Sequence, residues 1–515
     1  MSNNTVIVKN TLMLYMRQIF TMVINLYAVR VVINILGVED YGIYNAVAGV
    51  VLLFNFLSTA LASASQRFIS YDLGRKEYDN LVKTFSMTVY IYLFLSVAIL
   101  ILSFSVGLWL LENQLVIPAQ RMDAARWTFY FALFSFFFSI LRTPYHASII
   151  AHEDMNYFAW LSIVEVSLRL ILVFIIQVVD YDKLILYSFL MFLISLVMFG
   201  AYWSINRIKY TECKVILFWD STLFKKILSF SSWNLFGHIA GVLRSQGVNI
   251  LLNIFFGPTV NAARSIAQQV DGAVNSFGAN FNVAVRPRIV KVYSQDCHSD
   301  VISLVFLSSK MTAFLLLIFE IPLMIEMHTV MNLWLGVVPE YVVVFTRITI
   351  IESFFTSISG SIMASVNATG NIRRYQASVG SIILLNVPMA YLALKLGADP
   401  VTTLIVGVGI SILAFLFRII IARTVVEFSG LSFLVKVLFR IMLVVVIAMI
   451  VPLIFTMLMP PSFLRLVVVT VVSIICTSAI IYGVGMTGTE RKMLVSMIKK
   501  GLGKIMRQCR IVELS

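Results

Sequence analysis

Charge is scarce in this chain. Asp, Glu, Lys and Arg make up 12% of its 515 residues, while 60% are hydrophobic. The mean hydropathy is +0.93. That balance excludes a soluble globular fold, whose sequence carries about twice that share of charge. Long polar connections are also missing, so no segment is free to fold into an external catalytic domain. No constellation of carboxylates or histidine stands at the outer face, and no enzyme is expected. Cysteine is rare. Cys213, Cys297 and Cys509 fall in polar connections and Cys476 in an apolar stretch. No CxxC or Cys/His ligand spacing exists, so neither a disulfide framework nor a metal site is expected. Alternation at period two is nowhere sustained, which argues against a membrane β-barrel. The start, MSNNTVIVKN, is polar and lacks a cleavage site, so the first helix is expected to act as its own insertion signal.

What is abundant is apolar runs long enough to cross about 30 Å of hydrocarbon. They lie near 10–36, 42–70, 81–111, 123–147, 155–179, 183–206, 226–256, 260–286, 301–335, 341–368, 374–396, 401–425, 434–458 and 462–485. The expected fold is an all-α polytopic membrane protein of about fourteen transmembrane helices. The connections alternate in character. One set is basic (Arg67 to Lys83, Arg142, Arg207 to Lys226, Arg286 to Lys291, Arg373–Arg374, Arg418 to Arg440, and the tail). The other is short and nearly free of Lys and Arg. The basic set is expected on the cytoplasmic side, with both termini there. The net charge of +14 is then topogenic, and nucleic acid is not an expected partner. Past Gly488 the tail places Met493, Leu494, Met497, Ile498, Leu502 and Ile505 at helical spacing among Lys and Arg. It reads equally as an amphipathic helix on anionic lipid or as an ordinary topogenic tail.

A shift of roughly 220 residues brings the halves into register. Gly37 meets Gly257, Asn55 meets Asn275, and Arg67 falls within a residue of Arg286 and Arg288. Ser148 onward lies over Ser365 onward. Two parallel six-helix repeats follow, an arrangement that places a site between the halves. The expected organisation is 1–210 (helices one to six), 211–430 (helices seven to twelve), 431–487 (helices thirteen and fourteen) and the tail 488–515.

Polar residues inside apolar helices are costly unless they face protein or water. Helix eight carries Arg264, Gln268, Asp271, Asn275 and Asn282 within about 60° of one face. Helix seven carries Asn234, His238, Ser245, Asn249 and Asn253, with Gly237 and Gly241 leaving room for close packing. His238 alone is expected to be a packing residue. Arg244 is too deep to snorkel and is the best single candidate for a functional cation. Arg17 and Arg30 on helix one either line a cavity or snorkel. On helix two, Tyr44, Asn55, Ser58 and Gln66 sit at places matching the stripe of helix eight. Glu165 and Arg169, four apart, are expected to pair. Glu320, just before Pro322, is read as a hinge or coupling-ion residue. Asp271 either neutralises Arg264 or couples an ion. The expected cavity is cationic and rich in amides, suited to an anionic amphiphile bearing sugar or phosphate.

The run RVVINILGVEDYGIY (Arg30–Tyr44), followed by LSTALASASQRFISYDLGRKE, resembles the opening of bacterial polysaccharide flippases, the O-antigen and capsule oligosaccharide translocases. They share the multidrug/oligosaccharidyl-lipid/polysaccharide exporter superfamily with multidrug and toxin extrusion antiporters and the lipid II flippase. The resemblance implies a V-shaped, two-lobed alternating-access transporter. Its substrate would be an undecaprenyl-pyrophosphate-linked oligosaccharide, moved from the inner to the outer leaflet of the bacterial cytoplasmic membrane. Arg17, Arg30, Arg244 and Arg264 are the positions that would hold the pyrophosphate, with Asn55, Asn249, Gln268 and Asn275 beside them. Asp271 and Glu320 are the coupling candidates, for Na+, H+ or the membrane potential, with no other cofactor. Membrane lipids and polysaccharide polymerase machinery are the implied partners. The alternatives are a cation-coupled drug antiporter or a lipid II flippase. Helices thirteen and fourteen also occur in the lipid II flippase. Helix one lacks the acid that drug antiporters usually carry there.

Overall fold

The computed structural model describes residues 3–52, 55–113, 117–335, 338–426 and 429–492. The side chains of Arg30 and Asn55 lie outside this description, as does the segment 493–515, with Cys509 and most of the expected tail helix. The described residues are helical, with no strand among them. In order the helices are α1 (Asn3–Leu52), α2 (Asn55–Arg75), α3 (Tyr78–Leu102), α4 (Leu108–Asn113), α5 (Met122–Ala151), α6 (Met155–Val178), α7 (Lys183–Lys209) and α8 (Ser221–Phe256). Then come α9 (Pro258–Ser294), α10 (His298–Leu335), α11 (Val342–Ile358), α12 (Gly360–Thr369), α13 (Arg373–Leu384), α14 (Asn386–Lys395) and α15 (Pro400–Val426). The chain ends with α16 (Gly430–Phe433), α17 (Arg440–Leu458) and α18 (Phe463–Ile480).

Among the described residues, eleven segments are long and apolar enough to cross a membrane. The expected helices one, two and eight are helical but not among the eleven. Helices one and two share α1 across a break at Gly37. Helix eight is α9, the most polar of the long helices.

The internal repeat is visible in the backbone. Gly37 has φ +81° and Gly257 φ +82°, a conformation that costs glycine little, and each marks the join between two successive helices. Pro258, at the first position of α9, needs no N–H partner there. The turns that follow α2 and α9 carry Lys76 at φ 60° and Asp296 at φ 58°. Those that follow α5 and α12 carry Glu153 at φ 64° and Gly370 at φ 81°. Each pair sits at an offset close to that read from the sequence.

Helix α10 departs from helical geometry at Glu326, not at Pro322. The broken turn frees two carbonyls, and Arg347 Nε donates to Met324 O at 3.0 Å. Helices α17 and α18 pack on α10, held at two places. Lys310 Nζ meets Glu490 Oε1 at 2.5 Å, and Arg465 Nε meets Glu326 Oε1 at 2.8 Å. The Glu326 side chain is fully buried, so its charge is tolerable only because it is paired. Lys310 therefore answers to the segment after helix fourteen.

The two halves meet at the end of the bundle that carries the basic connections. Lys291 Nζ lies 3.0 Å from Glu153 Oε1 across the seam, and within the first half Asn10 Nδ2 donates to Glu153 O at 2.9 Å. On the other side of the seam Arg67 Nη2 donates to Ala368 O at 2.9 Å. Deeper in, Tyr15 Oη donates to Phe277 O at 3.0 Å and Arg17 Nη2 to Asn280 Oδ1 at 2.9 Å. Gly74 sits where α2 crosses α9. A Cβ there would lie 2.8 Å from Lys291 O and 2.9 Å from its Cα. At the opposite end, among the described residues, the hydrogen bonds stay within one half. There Arg121 bridges Asp40 at 2.5 Å and Asp182 at 2.6 Å, tying three connections together.

Two expectations follow. Gly74→Val pushes α2 and α9 apart, because the obstructing atoms are backbone. Cysteine-labelling access to the seam should rise several-fold without loss of folded protein, and unchanged access would contradict this packing. Burial acts to raise the pKa of the Asp182 carboxyl, but the Arg121 hydrogen bond and charge, together with the backbone N–H groups of Ile185 and Leu184, outweigh it and hold the carboxyl below its usual value. This stabilisation is present above about pH 4 and is lost as pH falls through the depressed value. Arg121→Met should lower the melting temperature by a few degrees at pH 7 and by less at pH 3.

Candidate functional site

The polar stripe of α9 finds its partners on α11 and α12, inside the second half. Those helices carry a hydroxyl every fourth residue: Thr349, Ser353, Ser357 and Ser361. At this spacing they line one face. Arg264 Nη1 donates to Thr349 Oγ1 at 2.6 Å. Ser353 Oγ donates to Asp271 Oδ1 at 2.5 Å, and Ser357 Oγ donates to Asn275 Oδ1 at 2.5 Å. Asn275 Nδ2 also donates to Asp271 Oδ1 at 2.8 Å. Farther along, Ser361 Oγ reaches Asn282 Oδ1 at 3.5 Å. Gly360 leaves room there, since a Cβ would meet the Asn282 amide at 2.6 Å. The polar stripe of α9 thus forms a zipper with α11. The four-residue hydroxyl spacing that forms it is readable in the sequence and was the missing signal.

Next to this zipper is a chamber of about 460 Å³ between α8, α9, α11, α14 and α15. Arg244, Arg264, Gln268 and Asp271 all line it, so four predicted residues from two helices converge. Arg244 is not free. Its guanidinium is paired with Glu352 and also donates to Ser411 Oγ at 2.8 Å and to Gly407 O at 3.3 Å. A Cβ at Gly407 would lie 2.9 Å from the Glu352 carboxylate, so the glycine makes room for the pair. Gln268 Nε2 donates to Ser245 Oγ at 3.1 Å. Arg264 is buried, and its Nε has no partner. Arg418 completes the lining. Three arginines thus face two carboxylates, Glu352 and Asp271.

The remaining predicted residues are dispersed. Asn275 sits one step along the zipper. Asn249 lies outside the chamber and bonds Gln246 at 3.4 Å. Glu320 is buried, with Oε1 unpartnered. Arg17 lies at the seam, its guanidinium 4.7 Å from the Phe158 ring centroid. The Glu165–Arg169 pair forms at 2.7 Å, and Arg142 joins the same carboxylate at 2.9 Å. Arg142 was placed in a basic connection by the sequence but lies within α5.

A second chamber, of about 350 Å³, lies on the seam itself. Gln66 and His146 come from the first half, and His238, Arg286 and Arg418 from the second. Arg286 and Arg418 were read from sequence as connection charges, because both stand near helix ends. Among the described residues no group of three or more His, Cys, Asp or Glu side chains is placed to hold a metal.

Comparison with known proteins places this architecture. A family model described as polysaccharide biosynthesis protein matches residues 7–293. No curated protein matches the chain significantly. The chain superposes on an outward-facing multidrug resistance MATE family transporter of the MOP superfamily with a TM-score of 0.71. Identity is 13%, covering 82% of this chain and 95% of that one. A MOP superfamily transporter from Pyrococcus furiosus, described as having a binding pocket of reverse polarity, gives 0.68 at 13% identity over 82% and 96%. The MATE transporter ClbM in complex with Rb+ gives 0.66 at 14% identity over 83% and 96%. Identities this low speak for the fold alone. The family match spans more than half of the chain, and this multi-pass membrane protein, built on the MATE transporter fold, belongs to the polysaccharide biosynthesis protein family.

Proposed function

We propose that the chain is a flippase that moves an undecaprenyl-pyrophosphate-linked oligosaccharide from the inner to the outer leaflet of the bacterial cytoplasmic membrane, for surface polysaccharide biosynthesis. The observation that carries this reading is the chemistry of the interior. Arginines outnumber carboxylates around the chamber, and amides and hydroxyls fill the remaining polar positions. Guanidinium groups match phosphate oxygens, and amides and hydroxyls match sugar hydroxyls. A drug antiporter exporting cations, the other activity considered for this fold, needs an interior with the opposite balance. Membership of a polysaccharide biosynthesis family supports the same choice.

In this proposal the lobes are residues 1–210 and 211–430, and residues 431–487 ride on α10 through the Arg465–Glu326 pair, with Lys310–Glu490 fastening the segment that follows. The basic end is cytoplasmic, and so are both termini. The structure then corresponds to a state closed toward the cytoplasm. Opening inward breaks Lys291–Glu153, Arg67–Ala368 and Arg17–Asn280 together, and substrate enters from the inner leaflet. Arg264, with its unsatisfied Nε, is the chamber cation available to substrate. Arg244 holds Glu352 and has a structural role. Asp271, on the same chamber wall, is the coupling acid: a bound proton or Na+ raises the net positive charge of the chamber by one. Glu320 is the second candidate for that role. Arg30, Asn55 and Asn249 complete the proposed substrate contacts, and the polymerase that extends the glycan is the proposed downstream partner.

Deletion of the gene in its host tests the reading. Lipid-linked oligosaccharide should accumulate on the cytoplasmic face. Unchanged surface polysaccharide together with raised drug sensitivity would sink it. Arg264→Ala should reduce glycan export at least ten-fold at unchanged membrane abundance. Arg244→Ala leaves Glu352 buried without its partner, at a cost of about 3–5 kcal/mol. The variant Arg244→Ala/Glu352→Gln should recover most of that loss in a thermal-melt assay. A double variant no more stable than Arg244→Ala would contradict the structural role.

A further inference from the structure

The connection between the halves runs without helix from Tyr210 to Asp220, between the end of α7 and the start of α8. Its first part is anchored by the buried Tyr210 and Cys213. Its second part runs beside the third and fourth turns of α3, about 12–18 Å along that helix from its start. Ser86 Oγ accepts from Ile216 N–H at 3.0 Å and lies 3.1 Å from Lys214 O. Tyr90 Oη donates to Ile216 O at 2.7 Å. Two hydroxyls of α3 thus satisfy backbone groups that water would satisfy in an ordinary surface loop. The side chains here do not suit water either. Leu217 is 100% exposed, Trp219 64% and Val215 45%, and Ile216 is exposed beside them. Phe218 turns inward, with Lys83 Nζ 5.7 Å from its ring centroid. Non-helical backbone is tolerated at the edge of hydrocarbon only where protein groups satisfy it, and that condition is met.

The surroundings mark the same level. At this end of the bundle Trp203 and Tyr157 are exposed. Each stands beside a cation: Arg207 Cζ is 5.2 Å from the Trp203 ring centroid, and Lys209 Nζ is 4.0 Å from that of Tyr157. Amphipathic rings of this kind collect at membrane–water boundaries. Lys214 lies in the stretch itself, Lys83 over Phe218, and Lys225 in the second turn of α8; all three are exposed. Among the described residues none of the three forms a salt bridge. The two adjacent acids are occupied: Glu212 lies 2.9 Å from His152 Nε2, and Asp220 caps α8 through the N–H groups of Thr222 and Leu223.

We propose that residues 215–219 are a membrane anchor that takes anionic phospholipid. Val215, Leu217 and Trp219 enter the acyl boundary, and Lys83, Lys214 and Lys225 meet the phosphate groups. Unpaired lysines around exposed apolar side chains match a surface that is anionic at its face and apolar beneath, which is an anionic leaflet. The anchor sits at the pivot of the molecule. Ile216 is fastened to α3 of the first half, and α8 of the second half starts at Ser221, so only residues 217–220 join the two. Those residues lie in the lipid boundary, and the lipid they bind acts on how the halves move. The anchor does not depend on what the interior carries.

The test uses the full chain in nanodiscs, with its four cysteines replaced by serine and a bimane fluorophore at Leu217→Cys. A fluorophore at Asp123→Cys, whose side chain is 91% exposed at the other end, is the aqueous reference. Phosphatidylglycerol and phosphatidylcholine, each carrying a nitroxide on the acyl chain, are the quenchers, at equal mole fraction. Lipid quenching at 217 should exceed that at 123 at least three-fold, and the phosphatidylglycerol quencher should act at least two-fold more strongly than phosphatidylcholine. In Lys83→Gln/Lys214→Gln/Lys225→Gln that preference should fall to unity. In Ser86→Ala/Tyr90→Phe the fluorescence anisotropy at 217 should drop, because the backbone has lost its hold on α3. Iodide quenching at 217 equal to that at 123 overturns the proposal, as does equal quenching by the two lipids in the chain with its lysines intact. A lipid preference that survives the lysine variant overturns the anionic contact. Shielding of 217 from both iodide and lipid quenchers in native membranes identifies a protein cover and also overturns it. These readouts are independent of the deletion phenotype, so the anchor and the flippase reading fail separately.

Discussion

A helix that carries an arginine, an aspartate and several amides cannot face hydrocarbon. Every other feature of the second half is arranged around where α9 puts them. Inside a bilayer each unsatisfied polar group costs several kcal/mol. The solution here is a second helix with complementary chemistry at the same period. Thr349, Ser353, Ser357 and Ser361 meet Arg264, Asp271, Asn275 and Asn282 in turn. Hydroxyls suit this task because each can both donate and accept, and because small side chains let two helices approach closely. The zipper fixes the rotation of α9, and that rotation leaves Arg264 and Asp271 at the edge of a chamber.

Charge compensation sorts the remaining intramembrane ions by role. Where a pair is complete, it holds helices together. Arg465–Glu326 and Lys310–Glu490 fasten the last helices to α10, and Arg142 and Arg169 share Glu165. Arg244–Glu352 joins α8 to α11. Where compensation is incomplete, the residue lines a cavity. Arg264, Arg286 and Arg418 are of this kind. A buried cation costs the fold stability unless something else supplies the counter-charge, so the uncompensated arginines mark where an anionic ligand belongs.

The seam between the halves is closed by a few polar contacts at one end, beside apolar packing of Leu14, Ile150 and Met155 on Ala284 and of Phe68 on Phe230. Lys291–Glu153 and Arg67–Ala368 lie on opposite sides of it; the first joins α9 to the turn after α5, the second joins α2 to the last turn of α12. A latch of this kind can open because each bond has water as an alternative partner at the membrane surface. The ion pairs buried within one half have no such alternative, so each half is expected to move as a unit.

The sequence alone determined what a bilayer dictates residue by residue. Length and apolarity set the helix positions, and Lys and Arg asymmetry set the expected orientation. The match of Gly37 with Gly257 marked the repeat. Family membership was legible in the stretch from Arg30 to the end of the second helix. Partnership was not legible, because it depends on how helices distant in the chain rotate against one another. Glu352 lies 108 positions from Arg244 and neutralises it. Lys310 answers to Glu490 across 180 positions. Arg286 and Arg418 looked like loop charges because helix ends and loops are alike in composition; only the packing of seven helices at the seam brought them together. The polar stripe of α9 was visible from the start as an energetic anomaly. That it is satisfied mainly by its own half, and only partly open to a cavity, was decided by tertiary structure, since side-chain spacing fixes a face but not what the face meets.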